Sequence, residues 1–81
     1  MDEPYTPIAC ALHERLEFAV LRRHALELSW KEAGEIRRAR VLPLDVYTRD
    51  GAEWLSIRLD DGREMALRLD RICAFRDLPG G

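Results

Sequence analysis

Residues 26–42 read LELSWKEAGEIRRARVL, and their alternation decides the fold. Leu26, Leu28 and Trp30 fall on one side of an extended chain and Glu27, Ser29 and Lys31 on the other, the period of two that marks a half-buried strand. Glu32-Ala33-Gly34 supplies a short turn with a glycine free to adopt positive φ. Glu35 to Leu42 continues as a second strand, with Arg38 and Arg40 alternating with Ala39 and Val41. Pro43 has no amide donor, so this strand ends, bends or lies at an edge there.

The same reading extends downstream. Asp50-Gly51 and Asp61-Gly62 are turn dipeptides that separate alternating segments. Trp54–Leu59 turns Leu55, Ile57 and Leu59 one way, Arg63–Leu69 does so with Met65, Leu67 and Leu69, and Ile72–Phe75 completes five strands. Upstream the period changes. Leu12, Leu16, Ala19, Val20 and the aliphatic stem of Arg23 recur at helical spacing, and Pro7 discourages helix before about residue 9. One helix and a meander of short strands must hide the sheet edges, and a short chain does so by curling the sheet. The expected fold is mainly β: an N-terminal helix capping a five-stranded antiparallel small barrel of the Sm-like or SH3-like kind. A single domain is expected over 1–81, with an ordered core at about 5–76 and a frayed tail at 77–81.

Composition agrees with one soluble domain. The chain has 81 residues, 47% hydrophobic and 35% charged, too apolar for a disordered tail. Its apolar runs, Pro7–Leu12 and Val41–Leu44, fall far short of the roughly 18–20 residues of a membrane span. The acidic start, Met-Asp-Glu-Pro-Tyr, is unlike a secretory signal, so a cytoplasmic location is expected. Thirteen basic against fifteen acidic residues give a net charge of −2, which argues against strong non-specific attraction to polyanions. The charge is uneven: Asp2, Glu3, Glu14 and Glu17 outweigh Arg15 in the first 21 residues, whereas arginines dominate 22–49.

Catalytic chemistry finds little support. Ser29 and Ser56 lie in mid-strand, and Cys10 beside His13 or His24 reads as a packed thiol near a surface imidazole rather than a nucleophile with its base. Cys10, His13, His24 and Cys73 lack the paired spacing of a zinc site, so no metal is expected. In a reducing compartment Cys10 and Cys73 read as free thiols packed in the core rather than as a disulfide. Asp60 and Asp61 read as turn chemistry, and Gly34, Gly51 and Gly62 each serve a hairpin, which leaves no phosphate-cradling loop and no expected cofactor. An RNA platform is conceivable from Arg37, Arg38, Arg40 and Arg49 with Tyr47 and Trp54, since small barrels bind single strands by stacking and charge.

Tyr5-x-Pro7-Ile8-x-Cys10, Leu16-Glu17-x-Ala19, Gly34, Gly51-x-Glu53-x-Leu55 and Leu67-Arg68-Leu69-Asp70-Arg71-Ile72 with Phe75 together resemble the Rho-binding antiterminator family, the Rof-type inhibitors of the bacterial termination factor Rho. The resemblance runs from Tyr5 to Phe75. It implies an Sm-like barrel without catalysis that binds the RNA-binding domain of Rho and keeps transcripts from loading. It also implies a contact surface around His13, Glu14 and Glu17 of the helix, with Arg49 and Asp50 as a second region. A single-strand RNA-binding module built on Arg38, Arg40, Tyr47 and Trp54 is the alternative. A monomer is expected, against a ring formed by pairing of strand edges.

Overall fold

A computed structural model describes Pro4, Ile8 and residues 10–78. Asp2, Glu3, Tyr5, Pro7 and residues 79–81, on which part of the acidic start, the opening motif and the tail expectation rest, lie outside the described residues. Helix α1 spans Cys10–Arg22. It is followed by β1 (Leu26–Glu32), β2 (Glu35–Arg49), β3 (Ala52–Leu59) and β4 (Glu64–Arg68), then a single 3-10 turn (Leu69–Arg71) and β5 (Ile72–Asp77).

Two-residue turns set the meander. Ala33 and Gly34 have φ of 50° and 80°, and Asp50 and Gly51 have 52° and 74°. Positive φ at both central residues matches the right-handed twist of the flanking strands. At the third turn Asp61 Oδ1 accepts the Arg63 N–H at 3.0 Å, which lets Gly62 swing to φ 89°.

All pairings are antiparallel in the order β4-β3-β2-β1-β5. In a flat sheet the two end strands would lie four spacings apart, about 19 Å. The 3-10 turn that joins them rises about 2 Å per residue and cannot reach that far. The sheet therefore curls, and its concave side encloses Leu26, Leu28, Trp30, Val41, Leu55, Ile57, Leu67 and Leu69, with Leu16 and Ala19 of α1 closing the mouth. This is the expected helix-capped, five-stranded barrel.

Bulges decide which side chains reach that core. β2 runs through Pro43 rather than stopping there, because pairing with β3 skips Leu44: Pro43 faces Ile57 and Asp45 faces Ser56. The extra residue reverses the alternation, so Val46 turns inward with Val41 and Pro43 while Asp45 is exposed. β5 repeats the device. Its pairing with β1 skips Cys73, so Ile72 faces Trp30, Phe75 faces Leu28, and Cys73 is turned outward. Cys10, at the first turn of α1, is exposed too. The expectation that both thiols pack in the core is thus corrected.

The helix also departs from its expected face. Leu16 and Ala19 are buried, Val20 is half-buried, but Leu12 is 40% exposed and Arg23 lies beyond the helix. The mouth of so narrow a barrel takes two helical side chains and little more. α1 ends in a Schellman arrangement: the His24 N–H donates to the Ala19 carbonyl at 3.3 Å and the Arg23 N–H to that of Val20 at 3.2 Å. The left-handed position is filled by Arg23, at φ 54°, where glycine is ordinarily favoured. Replacing Arg23 with glycine is expected to raise stability by about 0.5–1 kcal/mol, read as a higher urea midpoint at unchanged slope.

At the other end of the chain Asp77 pairs with Leu26, and the Leu78 N–H donates to the Ala25 carbonyl at 3.2 Å, so order continues past the expected boundary. Arg76 Nε meets Glu27 Oε1 at 3.1 Å across the sheet. This hydrogen bond first, and the Arg76 charge after it, hold the Glu27 carboxyl below its ordinary range. No helix among the described residues is long and apolar enough to cross a membrane.

Candidate functional site

With Leu16 and Ala19 fixed inward, the flank of α1 that carries His13, Glu17 and Val20 lies along the β2–β3 hairpin. His13 joins the two elements. Its Nδ1 lies 3.0 Å from Glu17 Oε1, one turn along the helix, and its Nε2 contacts Glu53 Oε2 on β3. As the imidazolium it donates to both carboxylates. Glu53 stands opposite Thr48, one pair from the Arg49–Ala52 step that closes the hairpin. The helical residues and the Arg49–Asp50 turn, separate in the sequence, thus belong to one end of the molecule. Arg49 Nε and Asp50 Oδ2 pair at 3.7 Å, and both side chains are largely exposed.

Glu14 is exposed beside His13, and Asp45 shares a shallow groove with Glu17, Val20, Leu21 and Val46. Four carboxylates, Glu14, Glu17, Asp45 and Glu53, therefore gather on the helix and hairpin. Among the described residues no arginine or lysine comes within 4.0 Å of any of them. Elsewhere the pattern differs. Glu27, Glu32, Glu35, Asp50, Asp61, Glu64 and Asp70 each lie within that distance of an arginine. Carboxylates without an arginine or lysine partner are thus concentrated on one face, two of them sharing His13, with only Asp60 and Asp77 outside it among the described acids. Phe18 and Leu21, 58% and 79% exposed, extend the same helix with apolar surface.

Sequence reasoning missed Glu53 and Asp45 as members of this face. Glu53 shares its parity with the inward-facing Leu55 and Ile57, and a carboxylate on that parity was the available signal that something polar meets it at the mouth of the barrel. Asp45 was masked by the bulge at Leu44. The residues of the RNA platform are divided: Tyr47 and Trp54 are cross-strand partners, whereas Arg38 and Arg40 sit opposite Ser29 and Glu27 on β1, at the other end of β2.

The fold and this face define a helix-capped small β-barrel with an acidic flank. No family model and no curated protein matches the sequence. Among solved structures, proteasome accessory factor B/C (PafBC) of Arthrobacter aurescens is similar at TM-score 0.77 and 19% identity, over 94% of this chain and 13% of that one. The chain thus spans about an eighth of the length of that protein, and at this identity the likeness is one of fold.

Proposed function

We propose that the protein binds the RNA-binding domain of the bacterial termination factor Rho through the acidic flank of α1 and the β2–β3 hairpin, and suppresses termination by keeping transcripts from loading. It acts as a binding protein without catalysis, in the cytoplasm where Rho works. The observation that carries this reading is the placement of Glu14, Glu17, Asp45 and Glu53 on one face without arginine partners. A groove that binds RNA must present cations to phosphates, and a carboxylate face without arginine partners is complementary to it. The resemblance along Leu16-Glu17-x-Ala19, Gly51-x-Glu53-x-Leu55 and Leu67–Ile72 supports the same partner. Exposed Phe18 and Leu21 supply the apolar contact that an interface needs inside its polar rim.

The test is competition. Labelled single-stranded RNA on Rho is titrated with this protein, and RNA binding is expected to fall as the complex forms. RNA that stays bound at saturating protein would overturn the reading.

A further inference from the structure

A second concavity lies away from the acidic flank. The end of β1, the start of β3, β4 and the 3-10 turn enclose a cleft of about 280 Å³, at the small end of ligand-binding clefts. Both tryptophans of the chain line it. Trp54 is half-buried, and its Nε1–H donates to the Arg49 carbonyl at 3.1 Å, which holds the ring in place. Trp30 is 4% exposed, and its Nε1–H is buried with no hydrogen-bond partner. A buried indole donor ordinarily finds an acceptor, so this one is an unmet requirement inside the barrel, and Trp54 is the ring with surface open to the cleft.

The charges around these rings are unequal. Arg68 is matched by Asp70 and Glu32 by Arg37, which leaves Arg71 and Lys31 as lining cations with no carboxylate within 4.0 Å among the described residues. The cleft thus offers the half-buried indole of Trp54, two uncompensated cations and an apolar side formed by Met65 and Leu67, with Trp30 packed behind them in the core. A simple anion would use the cations and leave the Trp54 ring uncovered, and an apolar ligand would do the reverse. A planar heteroaromatic carrying a phosphate uses both, since bases stack on indoles in a sequence-tolerant way and guanidinium groups grip phosphate.

We infer that the cleft between Trp54, Lys31 and Arg71 is a binding site for a nucleoside monophosphate unit, its base against the Trp54 indole and its phosphate on Arg71 and Lys31. The unit comes either from a free nucleotide or from single-stranded RNA. Glu53 and Trp54 are successive residues of β3 and point to opposite faces, so this site is separate from the acidic flank and does not rest on the Rho reading.

Because both tryptophans line the cleft, intrinsic fluorescence reports on it directly. The chain is titrated with adenosine 5′-monophosphate, with adenosine and with a short oligoadenylate. Saturable quenching by the monophosphate is expected, with affinity falling about tenfold in Arg71→Gln and less in Lys31→Gln, while the weaker response to adenosine stays unchanged. Circular dichroism confirms that each variant is folded. Quenching by the oligoadenylate alone, equally sensitive to Arg71→Gln, assigns the site to RNA, and quenching by the monophosphate alone assigns it to free nucleotides. No saturable response to either at millimolar concentration, or equal affinity in the folded Arg71→Gln and Lys31→Gln variants, would overturn the inference.

Discussion

Asp70→Ala is expected to lower folding stability by about 3–5 kcal/mol, measured by urea unfolding. Arg68 and Asp70 form a fork: Nε to Oδ1 at 2.8 Å and Nη2 to Oδ2 at 3.1 Å, with side chains 9% and 10% exposed. The pair sits where β4 turns through the 3-10 residues into β5, the link that brings the two ends of the sheet together. Removing the carboxylate takes the bidentate, charge-matching fork from a buried guanidinium, and the loss of that compensation dominates. A small domain is stable by about 0.05–0.15 kcal/mol per residue, so a loss of this size consumes much of the total. Arg68→Met combined with Asp70→Ala is expected to recover part of it, because the buried guanidinium is then removed together with its carboxylate. A single-variant loss under about 1 kcal/mol would show that the fork is dispensable and that Leu67 and Leu69 alone hold the turn.

How far the sequence reveals this architecture depends on whether the information is local. Leu26-x-Leu28-x-Trp30 and Leu55-x-Ile57 expose the period of two directly, and Gly34 and Gly51 mark turns because they occupy positive φ. Those features carry the strands and the barrel, and the spacing of Leu16 and Ala19 carries the helix. The bulges do not belong to either strand alone. Whether Leu44 or Cys73 is the extra residue depends on the partner's register, and a shift of one residue moves every later side chain to the other face. This is why Cys73 reads as core and lies at the surface, and why Val46 rather than Asp45 turns inward after Pro43. Of the candidate site, His13, Glu14, Glu17, Arg49 and Asp50 were legible as residues, but their union through the contact of His13 with Glu53 was not. The distance from residue 13 to residue 53 is closed only when α1 docks on the hairpin. The Arg68–Asp70 fork was visible as part of a motif, while its burial follows from the turn it supports.

Reversing Glu14 and Glu17 together, to lysine, is expected to weaken Rho binding at least about 100-fold, or roughly 2.7 kcal/mol. Like charges brought against a cationic groove cost several kcal/mol, and both residues are exposed, so folding is little changed. The matched control is Glu35→Lys with Glu64→Lys. These carboxylates open β2, at its end away from Asp45, and β4, beside Arg37 and Arg58, and their reversal alters net charge by the same amount. If the acidic flank is the contact surface, the control retains affinity within a few-fold, and its residual loss disappears as salt shortens the screening length to a few ångströms. The Glu14 and Glu17 variant stays weak at the same salt, since its lysines meet the groove at contact distance. Equal losses in the two variants would make net charge, rather than this face, the source of attraction. Undiminished binding in the Glu14 and Glu17 variant would move the contact away from α1, leaving Arg49 and Asp50 at the hairpin tip as the surface to test.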